Sequence, residues 1–375
     1  MKHYKMIDVV SEISERENSP STSGYDRFVG LEHYISGEVE ITNYGTTANL
    51  DSAMKVFHSG DILVARRNVY LKRASVVFFD GLTSGDSIVL RAKDGQVGRL
   101  LPFVLNTDAF WDYADQYSDG TMSKRLSPKT LMQYEFDLPD EDQQDYFADT
   151  LWAAVAAKAS YQRLLIQTVE LLKAQFIEMF GGSTSNVKGW PIKKVDEIYA
   201  VKSSKRIYAK ELQLDHGIPF MKVTDLLELI DSGGYFPKTY ISEERFNELR
   251  DNDDVPCVGD ILVTSRGTIG KCYIIQENDA FYFQDGMISW LKNRANNALL
   301  PEFMVSLFSE DEFLKQVNDV TNKTTVTYLS LDKLACLKVI CPPVEHQQVY
   351  LDLLHQADKS KAELKQAIES ISGLI

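Results

Sequence analysis

The 375-residue sequence lacks any apolar run that approaches the roughly 18 residues of a membrane-spanning helix. Its first residues, MKHYKMIDVVSEI, contain no apolar signal core, which predicts a cytoplasmic protein. Cysteine is also scarce, because the four cysteines lie at 257, 272, 336 and 341 and the first half has none. Their spacing fits neither a zinc-ligand pattern nor a disulfide scaffold, so we expect reduced thiols.

Motifs for catalysis and cofactor binding are missing as well. The sequence contains no GxxxxGK[ST] phosphate loop, no GxGxxG after a strand and no HExxH zinc motif. The strings closest to the Asn/Asp-Pro-Pro-aromatic motif of amino-group methyltransferases are CPPV at 341–344 and DLPD at 137–140, and both lack the aromatic ring. The six histidines are scattered. We therefore predict a chain with no catalytic residues, no cofactor and no metal site.

The net charge of −14 has the wrong sign for a simple nucleic-acid binder, because Lys and Arg must neutralise the phosphates. The basic residues are nevertheless clustered. Seven of them lie between Lys188 and Lys210 against two acids, and residues 65–75 contain four with no acid. This distribution predicts basic faces that bind DNA weakly alone and more strongly with a basic partner.

The sequence consists of two similar halves. Each has a GDIL string, at 60–63 and 259–262, and later a Leu-Ser pair, a proline, a paired glutamine and a predicted long helix. Equivalent landmarks are separated by 199 residues at Gly60 and Gly259, by 203 at Ser127 and Ser330, and by 204 at Gln143 and Gln347. Small insertions explain this drift, so we predict two equivalent modules and two equivalent connecting helices.

Composition divides the chain into four segments. Residues 1–139 mix β-rich runs with a helix predicted over 101–117, and residues 183–343 repeat this pattern with a helix predicted over 301–317. Residues 140–182 and 344–375 are predicted helices, the second shorter than the first. The predicted fold class is therefore α+β, with two repeated α+β domains separated by two long helices.

Both predicted long helices have residues at heptad spacing. These seam positions are Leu165, Val169, Leu172, Phe176 and Met179 in the central helix, and Leu354, Ala357, Lys361, Leu364, Ile368, Ile371 and Ile375 in the C-terminal one. A single stripe is equally typical of a helix packed on its own domain, but two equivalent stripes favour an antiparallel coiled coil. About 35 helical residues give a rod of roughly 50 Å, long enough to hold two modules about one turn of DNA apart.

Polar loops between the predicted strands supply candidate DNA contacts. Arginine can bind phosphate or guanine O6 and N7 with two hydrogen bonds, and small hydroxyl-bearing residues can also contact phosphate. A tight hairpin with solvated charges is the alternative, but the arginines recur in both halves, which favours DNA contact. The candidates are Arg66, Arg67, Lys72, Arg73, Ser123, Lys124, Arg125, Ser265, Arg266, Thr268, Lys271, Lys323 and Thr324.

The sequence resembles the specificity subunits of type I restriction–modification systems over nearly its whole length. In the first half the resemblance depends on VGLEH at 29–33, RNVYLKRA at 67–74 and SGDSIVLRA at 84–92, together with GDIL. In the second half it depends on GIPFMKVTDL at 217–226, GDILVTSRGTIGK at 259–271 and DGMISWL at 285–291. The order of these strings, present twice, is more specific than any one of them.

The resemblance implies two target-recognition domains, 1–139 and 183–343, each reading one half of a bipartite double-stranded DNA target. It implies that the helices of 140–182 and 344–375 pair as antiparallel spacers and bind two methylation subunits, which bring S-adenosylmethionine and flip the target adenine for N6 methylation. Restriction subunits, which combine motor and nuclease, would join the complex. The chain itself would be non-catalytic, and its differing loops would make the target asymmetric.

One departure from an ideal repeat concerns the candidate loops. Asn68 stands where the second copy has Gly267, so we expect the two loops to differ in backbone conformation. Two other functions stay open at this point. The chain could be the specificity partner of a fused restriction–methylation polypeptide, or a coiled-coil protein scaffold that does not bind DNA, which the acidic net charge favours.

Overall fold

The computed structural model describes residues 1–93, 95–120, 123–294, 298–321 and 327–375. They form two units, one of Met1–Arg163 with Lys365–Ile375 and one of Leu164–Leu364. The predicted α+β class is confirmed, because each unit combines mainly antiparallel sheets with helices. Among these residues no helix has both the length and the apolar content needed to cross a membrane, and no three His, Cys, Asp or Glu side chains are grouped to hold a metal.

The first unit is built on a four-stranded antiparallel sheet. Its strands are β1 (Lys2–Lys5), β2 (Val10–Ile13), β3 (Arg16–Glu17), β4 (Arg27–Val29), β5 (Gly45–Thr46), β6 (Met54–Phe57), β7 (Ile62–Ala65), β8 (Ala74–Val76), β9 (Gly81–Thr83), β10 (Ser87–Ala92) and β11 (Glu135–Leu138). Its helices are α1 (Met6–Val9), α2 (Gly95–Val104), α3 (Asp108–Tyr117), α4 (Pro128–Met132) and the start of α5 (Glu141–Phe180), with 3₁₀ turns at Pro20–Thr22, Leu31–His33 and Val69–Leu71. The sheet has the order β2-β10-β7-β8 and lies beside a β1-β11 pair and a sheet of order β3-β6-β9-β4-β5.

The second unit repeats this plan. Its strands are β12 (Ile192–Lys194), β13 (Tyr199–Ser203), β14 (Ile218–Met221), β15 (Tyr240–Ile241), β16 (Ile261–Thr264), β17 (Cys272–Ile274), β18 (Tyr282–Phe283), β19 (Ile288–Asn293) and β20 (Lys338–Ile340). Its helices are α6 (Val195–Ile198), α7 (Val223–Ser232), α8 (Glu243–Asp251), α9 (Pro301–Leu307), α10 (Asp311–Thr321), α11 (Leu331–Ala335) and most of α12 (Val344–Ser372), with a 3₁₀ turn at Ala209–Glu211. The order β13-β19-β16-β17 matches β2-β10-β7-β8, the β12-β20 pair matches β1-β11, and the parallel β14-β18 pair matches β4-β9.

The GDIL strings begin the equivalent strands β7 and β16, and their buried aspartates explain why the string recurs. Asp61 accepts a hydrogen bond from the amide of His58 and a forked pair from Arg91 at 2.7 and 2.8 Å. Asp260 accepts from the amide of Cys257 at 2.8 Å and from the indole nitrogen of Trp290 at 2.9 Å. Each carboxylate therefore closes the turn that precedes its strand and ties that turn to the neighbouring strand.

The paired glutamines align differently from the prediction. Gln144 and Gln347 are the buried members, and each donates to the carbonyl of the proline five residues earlier, Pro139 at 2.9 Å and Pro342 at 2.8 Å. The equivalent of Gln347 is therefore Gln144, a separation of 203 residues that equals the separation of Ser127 and Ser330. The separation of 204 residues predicted from Gln143 is wrong by one.

Each of the two helices predicted inside the modules is interrupted. The stretch 101–117 contains the end of α2 and all of α3, because Thr107 caps α3 by accepting a hydrogen bond from the amide of Phe110. The stretch 301–317 likewise contains α9 and the start of α10, where the Glu310 carboxylate accepts from the amide of Phe313 at 3.0 Å. Side-chain oxygens that satisfy free amides start a new helix in both places.

The long helices α5 and α12 were predicted at 140–182 and 344–375. In the second unit the end of α5 packs on the start of α12, since the Tyr350 ring centroid lies 5.4 Å from that of Phe176 and 5.6 Å from that of Phe180. The end of α5 therefore contacts the start of α12, as the predicted antiparallel pairing requires. The seven predicted seam positions from Leu354 to Ile375 are all partly buried, whereas Val169 is 41% exposed and Thr168 is the partly buried residue at that turn.

The end of α5 is fixed to α10 by a carboxylate. Gly181 and Gly182 have φ values of 76° and 85°, which end the helix in the left-handed conformation that glycine adopts readily. Glu312 then accepts hydrogen bonds from the amides of Thr184 at 2.8 Å and Ser185 at 2.9 Å. The amide of Ser185 contributes most to lowering the pKa of Glu312 below its ordinary value.

Candidate nucleic-acid interface

Strand register places three segments of the first unit at one edge of its main sheet. Ala65, the last residue of β7, is paired with Ser87, the first residue of β10, so loop 66–73 and turn 84–86 lie side by side. Residues 118–126 join them, because the amide of Asn68 donates to the carbonyl of Lys124 at 3.0 Å and the amide of Leu126 to that of Arg66 at 2.8 Å. We call the described residues of these three segments edge 1.

Edge 1 brings together two loops that were predicted separately. Arg67 from one loop and Arg125 from the other form a β-bridge. Both also contact Asp86, with Arg125 Nη2 at 2.8 Å from Oδ1 and Arg67 Nη1 at 3.4 Å from Oδ2. The side chains of Arg67 and Arg125 are 48% and 45% exposed and that of Asp86 is 26% exposed. The result is a pair of accessible guanidinium groups on one partly buried carboxylate.

The two lysines predicted for edge 1 each form an ion pair with an aspartate. Lys72 pairs with Asp108, and the hydrogen bond between them raises the pKa of Lys72 and lowers that of Asp108. Lys124 pairs with Asp115 at 2.6 Å. The two lysine side chains stay partly exposed in these pairs, 43% for Lys72 and 35% for Lys124.

The remaining candidates of edge 1 hold the surface together. The guanidinium of Arg73 donates to the carbonyls of Leu31 at 3.0 Å and Arg67 at 3.1 Å, so it supports the loop backbone. Ser123 donates to the side chain of Asn68 at 3.1 Å and so connects the two loops. Arg66 is half-buried. Arg66 and Arg73 are thus less exposed than Arg67 and Arg125, whereas Ser123 is itself exposed.

The second unit has the equivalent edge. Thr264 at the end of β16 is paired with Ile288 at the start of β19, and the amide of Leu329 donates to the carbonyl of Ser265 at 3.0 Å, as Leu126 does to Arg66. We call residues 203–206, 265–271, 285–287 and 327–329 edge 2. Two of the DNA contacts predicted from the sequence, Lys323 and Thr324, lie outside the described residues.

Edge 2 presents different side chains from edge 1. The guanidinium of Arg266 lies over the Tyr328 ring, 4.5 Å from its centroid. Thr268 and Lys271 are exposed. Ser265 is buried, and its hydroxyl is hydrogen bonded to Ser289 at 2.6 Å, which leaves that side chain no surface to offer to DNA. The Arg266 guanidinium therefore packs on an aromatic ring, whereas Arg67 and Arg125 of edge 1 pair with a carboxylate.

We expected the two loops to differ in backbone conformation because Asn68 stands where the second copy has Gly267, and at that position the prediction is wrong. Asn68 has φ 54° and Gly267 has φ 70°, so both lie in the left-handed region, which asparagine tolerates better than most residues. Lys72 and Gly270 are also left-handed, and equivalent hydrogen bonds of 2.9 Å join Ala65 to Arg73 and Thr264 to Lys271. The loops differ by one inserted residue, and their turns begin and end alike.

Sequence reasoning missed several residues of the two edges. Asp86 was noted only as part of a string, and the cluster between 188 and 210 was noted only for its charge. In the structure Arg206 follows β13 onto edge 2, where its Nε lies 3.6 Å from a carboxylate oxygen of Asp285. Tyr70 is an exposed aromatic side chain on edge 1. Asp86 and Asp285 could have been identified from the sequence, because each lies in the turn just before one of the equivalent strands β10 and β19.

The second half of the chain matches a known family model. Residues 187–371 match the model for the type I restriction modification DNA specificity domain. A putative type I restriction enzyme specificity subunit of Haemophilus influenzae is 27% identical over 161 residues, which cover 43% of this chain and 38% of that protein. The MjaIX type I specificity subunit of Methanocaldococcus jannaschii is 24% identical over 216 residues, or 52% and 48%. The matched part thus spans less than half the length of these curated relatives.

Solved structures share the fold over nearly the full length. The type I restriction–modification S subunit from M. genitalium matches with a TM-score of 0.58 at 13% identity, covering 100% of this chain and 93% of that one. A chain from a structure on complex assembly and conformational transition of the type I system matches with a TM-score of 0.57 at 19% identity, covering 99% and 96%. At such identities these matches show the fold alone.

Proposed function

We propose, from the premise that this chain belongs to the family of type I restriction–modification DNA specificity subunits, that it reads a bipartite DNA sequence. The observation that carries the proposal is that both units have an edge built in the same way. In each unit an arginine-bearing loop, a turn and a third segment meet at the same edge of equivalent sheets. Each edge is proposed to contact one half-site.

Different side chains at the two edges support an asymmetric target. Edge 1 presents Arg67 and Arg125 on a carboxylate, whereas edge 2 presents Arg266 on an aromatic ring and Arg206 beside Asp285. Arginine reads guanine through O6 and N7 in the major groove and also contacts phosphates. Two edges with the same backbone arrangement and different side chains would bind the duplex in similar orientations and select different bases.

The long helices are the proposed spacers and subunit-binding elements. α5 carries exposed apolar side chains, namely those of Leu164, Ile166, Leu171 and Ile177. At 100° per residue Leu164 and Leu171 lie on one side of α5 and Ile166 and Ile177 on the other. Apolar side chains left exposed on a helix are typical of a surface that binds protein. We propose that two methylation subunits bind these helices and supply S-adenosylmethionine and the N6-adenine chemistry, and that restriction subunits join the assembly. In this arrangement the chain selects the sequence and catalyses no step.

Selection from random duplexes tests this function. The full chain, assembled with its proposed methylation subunits, would be incubated with a pool of random-sequence DNA, and the bound fraction would be sequenced. We expect two short, dissimilar blocks separated by a constant number of base pairs, because the proposed spacer helices would keep the two half-site contacts at a constant distance. A protein scaffold that does not read DNA would enrich no sequence, and that outcome would contradict the proposal.

A further inference from the structure

Asp86 has an unusual place among the residues of edge 1. Its two carboxylate oxygens are divided between the guanidinium groups of Arg125 and Arg67. Its carbonyl accepts a hydrogen bond from the amide of Arg66 at 2.9 Å, and its own amide donates to the hydroxyl of Ser84 at 3.2 Å. The carboxylate is therefore fixed by both backbone and side chain in the middle of a cationic surface.

Stability alone does not explain an acid at this place. Partly exposed ion pairs contribute little to the free energy of folding, because water already solvates both charges well. On a DNA-binding surface the same carboxylate has a larger effect. It opposes approach of the negatively charged backbone, and it reduces the combined charge of the Arg67, Arg125 and Asp86 trio to that of one cation.

The same carboxylate favours contact with bases. A guanidinium hydrogen bonded through one nitrogen is restricted in its orientation and keeps its other N–H groups available, so less side-chain freedom is lost when it meets guanine O6 and N7. Arg125 donates to Asp86 through Nη2, which leaves Nε and Nη1 outside this pair. A carboxylate at the groove can itself accept from the N4 amino group of cytosine.

Edge 2 has a related arrangement at a shifted position. The structural equivalent of Asp86 is Met287, because the amide of Ser265 donates to the Met287 carbonyl as that of Arg66 does to Asp86. The acid of this turn is Asp285, which lies 3.6 Å from Arg206. Both turns thus bring a carboxylate to an arginine of the edge, through different residues.

We infer that Asp86 is a specificity-determining positioning residue, which orients Arg67 and Arg125 toward base edges and opposes their use in sequence-independent phosphate binding. The inference rests on the proposed DNA-recognition function. By this inference, one acidic side chain increases the difference in affinity between target and non-target DNA at the first half-site.

The Asp86→Asn variant of the full chain, assembled with its methylation subunits, tests the inference. Binding to the selected duplex and to a scrambled duplex would be measured by fluorescence anisotropy at several salt concentrations. We expect binding to the scrambled duplex to strengthen about tenfold, and its log–log salt slope to steepen by about one, because one more cation is free to contact phosphate. Binding to the selected duplex should change less, so the specificity ratio falls.

Two further variants control for charge and for distortion. Asp80→Asn removes the same charge from the first unit, but Asp80 binds the amide of Ser59 in the turn before β7, at the opposite end of that strand. It should leave the ratio and the slope as in the unmodified chain. Asp86→Glu keeps the charge and should keep the unmodified salt slope, and steepening in this variant as well would overturn the inference.

The outcomes separate this inference from the proposed function. If the unmodified assembly prefers its selected duplex and Asp86→Asn behaves as Asp80→Asn does, the function stands and the role of Asp86 is refuted. If the unmodified assembly prefers no sequence, the proposed function fails and the inference fails with it. A lower specificity ratio in Asp86→Asn, with ratio and slope unchanged in Asp80→Asn, supports both.

Discussion

Replacing Arg67 and Arg125 together with alanine is expected to eliminate recognition of one half-site and to leave the other readable. Each lost bidentate base contact costs roughly 1–3 kcal/mol and relaxes the sequence requirement at its position. The two side chains share Asp86, so their effects are not expected to be additive. The double change also leaves Asp86 without its cations on the proposed DNA-binding surface, which would add repulsion to the loss of contact.

Duplex selection with the double variant measures this effect. The block read by the first unit should disappear from the enriched sequences, while the block read by the second unit and the overall preference for it persist. Arg99→Ala is the matched control, because Arg99 pairs with Asp145 and Asp149 near the start of α5 and lies on neither edge. Retention of both blocks by the double variant would show that edge 1 is not the recognition surface.

The Phe180→Ala substitution is expected to have the largest effect on stability. Phe180 is fully buried, and its ring centroid lies 5.0 Å from that of Phe176, 4.9 Å from that of Phe303 and 5.6 Å from that of Tyr350. Removing a buried aromatic ring costs about 3–5 kcal/mol, because apolar contact is lost and a cavity is left. The cavity would lie where the end of α5, α9 and the start of α12 meet.

Hydrogen exchange resolved to peptides of the second unit measures that loss. The slowest amides of α9 and of the first turns of α12 should exchange faster by a factor that corresponds to the lost free energy. A chain of two units need not unfold in one step, so a local readout is preferable to a single unfolding midpoint. Ile177→Ala, at a residue of the same helix that is 57% exposed, should change these rates little. Equal effects of the two substitutions would contradict the packing described here.

The sequence predicts much of the fold because its strongest signals are local and repeated. The GDIL strings, the Leu-Ser pairs and the proline before each long helix recur for identifiable reasons, namely a turn-closing aspartate, an N-capping serine and a carbonyl that binds a buried glutamine. The absence of glycine and proline between Pro139 and Gly181 likewise predicts one long helix, which α5 confirms.

Features that depend on tertiary contacts could not be predicted from the sequence. Nothing in the spacing of Arg67 and Arg125 shows that they meet, because the 57 intervening residues include the strands β8, β9 and β10 and the helices α2 and α3. Asp86 reads as an ordinary turn residue until strand register places it between them. The breaks near Thr107 and Glu310 were hidden because apolar spacing continues across each cap.

Modified-base sequencing of genomic DNA tests the central claim most directly. Cells that carry this chain with its neighbouring genes would be compared with cells that lack only this chain. The account predicts that N6-methyladenine at a split, asymmetric motif with a constant gap is present in the first and absent in the second. Identical methylation patterns in the two, with every subunit shown to be expressed, would contradict the claim that this chain selects the sequence.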